Sequence, residues 1–375
     1  MKVLMLTPSF APIVGGTERV VQRLTIKLNQ EGVHTDVMTF NMNKKWNPFW
    51  REEIKRGDFT VFRVPALNFF PRMKYNPLEI SLRVHVIPKL NFTKHLKDYD
   101  ILHFHDDVDL SFSLFSYFIK KPKIFQCHTL AGSYGDYKKR FFARAIFGKV
   151  ADAYTCVSGN SKKLLSDLGI PKSKIFLLPN GIEPEEFKPG KAEKIDNMLL
   201  HVGRGVRAKG LNVLLNSLKY LKEPVSLKIA GPVDDIQYIN QIIGSNHKRK
   251  MGIHEVELLG YVNEEKLLEL YQRASIFVAP SLEEEFGIVN LEALSCETPV
   301  VASEVGGIRE IIKNDVNGLL VPPNDPEKLA DAVRKLLKDK DLREKYGING
   351  RRMVKEHFSW DSITKELIRI YETLC

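Results

Sequence analysis

Residues 275–293 of the chain read SIFVAPSLEEEFGIVNLEA. The first five form an apolar run typical of a buried strand, and an apolar helix is predicted to open after Gly287. The N-terminus of such a helix presents backbone N–H groups and the positive end of its dipole. Glu284 on the loop and Glu292 inside the helix stand eight positions apart, so they would flank an anion such as a diphosphate. This arrangement predicts a nucleotide-sugar site.

Short apolar strands alternate with helical patterns on both sides of this segment, which indicates parallel, doubly wound sheets. The alternation breaks in a stretch rich in Pro, Gly, Lys and Glu near 184–195 and then restarts. A chain of 375 residues therefore predicts two α/β lobes, an N-terminal lobe of 1–188 and a C-terminal lobe of 189–359. The last segment, 360–375, is predicted to be a helix that packs back on the first lobe. The predicted strands are 3–6, 33–40, 60–64, 100–104, 123–126, 153–157, 175–178, 198–202, 226–230, 256–259, 276–279, 299–302 and 318–321.

Composition restricts the class of protein. The four cysteines are scattered without a C-x-x-C pair, so neither a disulfide framework nor a thiolate metal site is indicated. The first apolar run is too short for a signal peptide, and no stretch approaches the roughly twenty apolar residues of a membrane span. We therefore expect a cytoplasmic protein.

The net charge of +10 is concentrated between Lys44 and Lys97, where twelve Lys and Arg stand against four Asp and Glu. Aromatic residues are interleaved with these charges, among them Trp46, Phe49, Trp50, Phe69, Phe70 and Tyr75. Such a segment can bind anionic lipid headgroups, or it can be an insertion whose aromatic side chains cover the core of its own lobe. A nucleic-acid partner is not expected, because no nucleic-acid-binding module accompanies the charge.

Glycine-containing loops follow the first strand of each lobe. Gly15 and Gly16 precede the first helix, where glycine lets the backbone approach a ligand closely, although a tight turn is the alternative interpretation. In the second lobe, Arg204 follows Gly203 at a strand end and Lys209 precedes the next helix, so both cations can converge on one anion. Fixed cations stabilise the charge that develops on a departing diphosphate.

Together these motifs resemble the retaining glycosyltransferase family four, whose members adopt the GT-B fold of two Rossmann-like lobes facing a central cleft. The resemblance covers nearly the whole chain and is carried by Gly15-Gly16, Asn180-Gly181, Gly203-Arg204 with Lys209-Gly210, the Glu284/Glu292 pair and Gly306-Gly307. Similar chains transfer a sugar from a nucleotide-diphosphate donor with retention of configuration and without a metal. The resemblance therefore implies a hexosyltransferase that uses no cofactor and no metal.

The resemblance also implies roles for individual residues. Arg204 and Lys209 would bind the donor diphosphate, and Glu292 would bind the ribose hydroxyls. Glu284 would hold the hydroxyls of the sugar near the reacting carbon, and Gly16 would let the backbone of the first lobe close on the phosphate. The donor-binding set is completed by Gly15, Gly203, Phe286, Gly287, Ile288 and Val289.

His128 stands at the end of a predicted strand and matches the histidine that similar enzymes direct at the donor sugar. From its position alone, a structural role is an equal alternative. Glu285 stands where the family commonly has glycine. An extra carboxylate beside the sugar would repel anionic sugars, which favours a neutral donor sugar.

A metal site is the rival hypothesis for the segment after residue 102. His103, His105 and Asp107 match the start of a metallo-hydrolase motif, and Asp107 with Asp109 mimics an Asp-x-Asp metal site. Zinc hydrolases of that type require another histidine where Val108 stands. The alternative is that His103 and His105 line the cleft or pack beneath it.

Three hypotheses for the function are therefore carried forward. The first is a nucleotide-sugar glycosyltransferase, the second a nucleotide-sugar 2-epimerase-like isomerase, and the third a non-catalytic nucleotide-sugar-binding protein. An epimerase is not expected to carry the two cations and the two carboxylates together. The acceptor would be a glycan, a lipid-linked or a small molecule, and the basic aromatic segment favours a lipid-linked or polysaccharide acceptor at the inner face of a membrane, where the protein would be peripheral.

Overall fold

The computed structural model describes residues 1–11, 16–40, 54–64, 66–68, 86–88, 90–105, 118–128, 151–167, 169–191, 193–243 and 248–375. The chain forms two compact units. Unit 1 comprises Met1–Asn180 and Trp360–Cys375, and unit 2 comprises Gly181–Ser359. Among the described residues, no helix has both the length and the apolar character needed to span a bilayer.

Unit 1 is built on an eight-stranded sheet. The described strands of unit 1 are β1 (Lys2–Leu6), β2 (His34–Phe40), β3 (Ile54–Arg56), β4 (Phe59–Val64), β5 (Ala66–Asn68), β6 (Val86–Pro88), β7 (Ile101–Phe104), β8 (Lys123–Cys127), β9 (Ala153–Cys156) and β10 (Ile175–Leu177). The order in the sheet is β10-β9-β8-β7-β1-β2-β4-β3, and only β3 runs antiparallel to its neighbour. Strands β5 and β6 pair separately. The central strands are buried along their length because parallel sheets are covered on both faces.

The described helices of unit 1 are α1 (Gly16–Gln30), α2 (Gly159–Asp167) and, from the end of the chain, α10 (Trp360–Glu372). One face of the sheet is covered by α1 together with α10. Leu367 and Tyr371 of α10 join the same buried cluster as Val21 and Leu24 of α1. The core of unit 1 therefore contains side chains from both ends of the chain.

Unit 2 is built on a seven-stranded sheet. Its strands are β11 (Ile195–Val202), β12 (Ser226–Ala230), β13 (Lys248–Met251), β14 (His254–Gly260), β15 (Ala274–Ala279), β16 (Val300–Ser303) and β17 (Gly318–Val321). They are ordered β13-β14-β12-β11-β15-β16-β17, with β13 antiparallel at the edge. The strand order reverses between β11 and β15, and ligands of open α/β sheets bind at the carboxyl ends of strands at such a point. Apart from the edge strands β3 and β13, both sheets are parallel and doubly wound, which confirms the predicted fold class.

The described helices of unit 2 are α3 (Leu211–Ser217), α4 (Ile236–Ile243), α5 (Glu264–Arg273), α6 (Ile288–Ser295), α7 (Ile308–Ile311), α8 (Pro326–Lys338) and α9 (Lys340–His357). A short 3₁₀ helix at Arg207–Lys209 precedes α3. Helices α3, α4 and α8 pack with β11, β12 and β15 in one buried cluster. This packing leaves the loops after β11 and β15 at the carboxyl edge of the sheet.

The chain passes from unit 1 to unit 2 earlier than the sequence predicted. Residues 181–188 bond to unit 2: the N–H of Ile182 donates to the carbonyl of Phe358 at 2.8 Å, and Arg351 donates to the carbonyl of Pro184 at 3.2 Å. The side-chain amide of Gln272 donates to the carbonyl of Lys188. The boundary therefore lies at Gly181 rather than at 189.

Candidate active site

Two loops at the switch point of unit 2 are joined through their backbones. Gly210 has a φ of +66°, and a Cβ at this position would lie 1.9 Å from the carbonyl oxygen of Pro280. Two residues earlier, in the 3₁₀ turn, the carbonyl of Ala208 accepts a hydrogen bond from the backbone N–H of Leu282 at 2.8 Å. Glycine at 210 therefore allows the loop after β11 to touch the loop after β15.

This contact brings Lys209 and Glu284 together. The ammonium of Lys209 lies 2.5 Å from a carboxylate oxygen of Glu284, and the two side chains are 22% and 13% exposed. The backbone of Glu284 is held from the other side, since a Cβ at Gly306 would lie 1.7 Å from its carbonyl oxygen. A cation and a carboxylate predicted to act on the same ligand are thus adjacent in the structure.

Helix α6 begins beside this ion pair. Gly287 precedes the helix in the left-handed conformation, with a φ of +87°, and its carbonyl accepts from the backbone N–H of Asn290. A Cβ at Gly287 would lie 3.2 Å from Cγ of Glu284, so the Glu284 side chain lies against the start of the helix. The first backbone N–H groups of α6, including those of Ile288 and Val289, have no intrahelical acceptor. An anion here would meet these N–H groups and the helix dipole.

Glu292 lies farther along α6 and has a buried partner. The hydroxyl of Tyr271, on α5, donates to a carboxylate oxygen of Glu292 at 2.7 Å. Burial raises the pKa of Tyr271 well above its ordinary value, and the adjacent Glu292 raises it further. Tyr271 therefore remains a hydrogen-bond donor and orients the carboxylate. The sequence did not predict this role, because a tyrosine among apolar helix residues is typical of a core position.

Arg204 is placed differently from Lys209. Its guanidinium lies 3.3 Å from the carboxylate of Asp234, and these side chains are 59% and 40% exposed. Near Lys209, a Cβ at Gly203 would meet the imidazole of His201 at 3.4 Å. The Nδ1–H of His201 donates to the carbonyl of Val278 at 3.0 Å, and burial lowers its pKa to about 4. His201 is thus neutral and adds no charge to the site.

Phe286 was predicted as a donor-binding residue, and the structure buries its side chain. Its ring lies 6.1 Å from the ring of Phe358 and is 3% exposed. The side chain therefore anchors the loop in the interior of unit 2, and only the backbone of this residue is available to a ligand.

Two predicted positions belong to the start of unit 1. Gly15 lies outside the described residues, and Gly16 begins α1 with open space around the position of a Cβ. The hydroxyl of Ser9 donates to the carboxylate of Glu18 and ties the loop after β1 to the first turn of α1.

His128, at the end of β8, lies in a buried group of histidines in unit 1. Its Nε2 lies 2.9 Å from Nδ1 of His105, and the ring of His105 lies 4.2 Å from that of His103 in a tilted arrangement. Burial lowers the pKa of His103 to about 3 and that of His105 well below its ordinary value. Of the two alternatives for His103 and His105, packing in the interior is the observed one.

The metal hypothesis depended on these histidines and on two aspartates. Asp107 and Asp109 lie outside the described residues. Within the part of the chain that the structure describes, no three histidine, cysteine or carboxylate side chains are grouped so that they could hold a metal ion.

Comparison with known proteins agrees with this geometry. The family model for glycosyl transferases group 1 matches residues 182–353, and the model for glycosyltransferase family 4 matches residues 14–186. An uncharacterised glycosyltransferase of Methanocaldococcus jannaschii is 30% identical over 99% of this chain and 98% of its own length.

Two solved structures share the fold over the full chain. Sucrose-phosphate synthase from Thermosynechococcus elongatus has a TM-score of 0.77 at 22% identity, covering 100% of this chain and 99% of its own. HepE from Anabaena, in complex with UDP and glucose, has a TM-score of 0.74 at 18% identity and covers 100% of both chains. The chain belongs to the group 1 glycosyltransferases, family 4, which have the GT-B fold.

Proposed function

We propose that this protein is a retaining, metal-independent glycosyltransferase that moves a sugar from a nucleoside-diphosphate donor to a glycan, lipid-linked or small-molecule acceptor. The observation that carries the proposal is the convergence of Lys209, Glu284 and the N-terminus of α6 at one point of unit 2. A cation, a carboxylate and exposed backbone N–H groups suit a ligand that has a diphosphate at one end and hydroxyl groups at the other.

Each group of this site has a defined task in the proposed reaction. Arg204 and Lys209 bind the diphosphate, whose negative charge rises when the bond between the sugar carbon and the phosphate oxygen breaks. Glu284 accepts hydrogen bonds from the sugar hydroxyls, and Glu292, oriented by Tyr271, accepts them from the ribose. The electron pair of the broken bond goes to the phosphate oxygen. The acceptor oxygen attacks the same face of the sugar, and its proton passes to the departing phosphate.

The ligand of one structural neighbour suggests the first donor to test. HepE was crystallised with UDP and glucose. We therefore propose UDP-sugars as the first class of donor, with GDP-sugars and ADP-sugars compared in the same assay.

The proposal is tested by transfer kinetics of the variants Arg204→Ala and Lys209→Ala. We expect each to lower kcat/KM by about 10²-fold, the size of effect seen when a fixed charge-stabilising group is removed from an active site. Chelating agents are expected to leave the rate unchanged. Lys266→Ala is the matched control, because Lys266 is an exposed lysine of the same unit paired only with Glu269 in the described structure.

Four results would contradict the proposal. Unchanged turnover in Arg204→Ala and Lys209→Ala would remove the diphosphate site. A released epimer of the donor sugar would indicate an isomerase, and tight donor binding without transfer to any acceptor would indicate a binding protein. Inversion of the anomeric configuration in the product would contradict retention.

We further propose a lipid-linked acceptor and peripheral attachment to an anionic membrane surface. The support is the basic and aromatic composition of residues 44–97, most of which lie outside the described part of the chain. Co-sedimentation with phosphatidylglycerol vesicles is expected and should weaken with salt, since exposed charges are screened. Equal sedimentation with neutral vesicles would contradict it.

A further inference from the structure

The buried histidines of unit 1 form a hydrogen-bonded series that begins at β1. Strands β1, β7 and β8 are neighbours, and His105 and His128 directly follow β7 and β8. Met5 of β1 is in register with His103 of β7. The Nε2 atom of His105 lies 3.1 Å from the sulfur of Met5, and its Nδ1 atom lies 2.9 Å from Nε2 of His128. His105 therefore stands between a thioether and the predicted sugar-binding histidine.

The chemistry of the thioether decides which nitrogen of His105 carries the proton. A thioether sulfur has no proton and can only accept a hydrogen bond. His105 is 1% exposed, and burial, with smaller contributions from His103 and His128, keeps its pKa well below the ordinary value, so its ring is neutral and has one N–H. If that proton were on Nδ1, a bare lone pair on Nε2 would face the sulfur. The proton therefore belongs on Nε2, and Nδ1 is an acceptor.

The tautomer of His105 determines which nitrogen of His128 carries a proton. Because Nδ1 of His105 accepts, the Nε2 atom of His128 must donate across the 2.9 Å contact. We propose that His105 is a positioning residue that, with Met5, holds His128 as its Nε2–H tautomer. In that tautomer the Nδ1 atom of His128 carries no proton, so it can only accept a hydrogen bond.

The consequence concerns the donor sugar, and it rests on the proposed function together with the role that the family resemblance implies for His128. A group that bonds to Nδ1 must itself donate, as a hydroxyl does, whereas a carboxylate there would meet a lone pair. The held tautomer thus selects a hydroxylated, neutral sugar over a uronic acid.

His103 provides a matched control within the same cluster. It is fully buried, its ring contacts His105, and its Nδ1 atom lies 2.8 Å from the hydroxyl of Tyr371. His103→Phe keeps an aromatic ring against His105 and removes only the bond to Tyr371. We expect His128 to keep its Nε2–H tautomer in this variant, even if the variant is less stable than the wild type.

The direct test is ¹⁵N NMR of the full chain labelled at the histidine rings, without any ligand. His128 is expected to show a protonated, pyrrole-type Nε2 and an unprotonated, pyridine-type Nδ1. The same pattern is expected in His103→Phe and in His105→Asn, whose amide oxygen can replace Nδ1 of His105 as an acceptor. His105→Leu, which has no acceptor, is expected to show a mixture of tautomers. A wild-type His128 protonated on Nδ1 would overturn the proposal, as would an unchanged spectrum in His105→Leu.

Kinetics separates this inference from the proposed function. We expect kcat/KM to fall about tenfold in His105→Leu, the loss of roughly one hydrogen bond, and to recover within about threefold in His105→Asn. If no transfer occurs in any variant while the ligand-free spectra are as expected, the proposed function fails and the tautomer assignment stands. If transfer is unaffected in His105→Leu although its tautomers are mixed, the positioning role is wrong.

Discussion

At the scale of single residues, both cations of the proposed donor site already have a carboxylate partner. Lys209 pairs with Glu284 in a partly buried contact, and Arg204 pairs with Asp234 at the surface. In the proposed function, a bound diphosphate therefore competes with Asp234 for Arg204. Since exposed ion pairs contribute only about 0.2–1 kcal/mol, the competition is modest and measurable.

Asp234→Asn is expected to tighten donor binding by up to about fivefold, because the amide no longer neutralises Arg204. Isothermal titration with UDP at low salt measures the effect, which should shrink at high salt. Glu257→Gln, which releases Lys228 elsewhere in unit 2, is the control and should leave the affinity unchanged. Weaker binding in Asp234→Asn would show that Asp234 helps to place Arg204 instead of competing for it.

Tyr271→Phe is expected to raise the KM for the donor about tenfold and to change kcat little, since a hydrogen bond to a charged group contributes about 1.5–3 kcal/mol. The physical reason is that Glu292 loses the donor that orients it toward the ribose. Tyr346→Phe removes a comparable bond, to Asp315 at 3.0 Å, and serves as the control. Equal kinetics in the two variants would contradict the role of Tyr271.

At the scale of elements, the loop between β15 and α6 is packed closely against other backbone segments, including Gly306. Gly306 has a φ of +46°, and a Cβ there would overlap the carbonyl oxygen of Glu284 at 1.7 Å. Gly306→Ala is expected to displace the loop after β15, to lower the free energy of unfolding by about 3 kcal/mol and to lower kcat/KM at least tenfold.

The control for Gly306→Ala is Gly252→Ala, in the turn between β13 and β14. Gly252 has a similar φ of +64°, but nothing lies within 4 Å of a Cβ at this position. In this variant the free energy of unfolding should fall by only about 1–2 kcal/mol, the cost of an alanine in the left-handed conformation, and the kinetics should be unchanged. Denaturant unfolding and transfer rates separate the two effects. The close contact would be unimportant if both variants behaved alike.

Most strands were predictable because continuous apolar runs bounded by Gly, Pro or polar residues are typical of buried parallel strands. Strand β13 was not predicted, since its residues are mostly charged and it pairs only at the edge of the sheet. Helices α8 and α9 were also missed, although Asp325 before Pro326 is a start signal for α8.

The site was predictable where chemistry follows from chain position, and less so where it depends on contacts between distant segments. Lys209 and Glu284 were predicted to share a ligand, and they lie together. Tyr271 and Asp234 carry no signal of their role in the sequence. The bond between His105 and His128 joins residues 23 positions apart and needs the order of β7 and β8 to be known.

At the scale of the whole molecule, stability should depend on pH through Lys194. This largely buried ammonium donates to the hydroxyl of Thr298 at 2.7 Å, and burial lowers its pKa from 10.5 to about 8. Between pH 8 and 10.5 the unfolded chain binds more protons at this residue than the folded chain, so stability rises with pH in that window. Below pH 8 the cost of burying the charge is present in full.

Lys194→Met is expected to lower the slope of stability against pH by about 1 kcal/mol per pH unit relative to the wild type, because the variant lacks the titrating ammonium. Urea unfolding of both proteins between pH 8 and 9.5 measures this slope. The range is chosen because tyrosines of the unfolded chain ionise only above it. Lys228→Met, which alters a lysine paired at the surface with Glu257, should keep the slope. An equal slope in the wild type and in Lys194→Met would contradict the assignment.

The return of α10 to unit 1 has a consequence for biosynthesis. Unit 2 is one uninterrupted segment whose two ends are joined by the hydrogen bond from Ile182 to Phe358, so it can fold on the ribosome as soon as it has emerged. Unit 1 cannot, because Leu367 and Tyr371 fill part of its interior and are translated after all of unit 2. Until the end of the chain has been translated, its earlier portion keeps part of its apolar surface uncovered, and such surface favours aggregation of the nascent polypeptide.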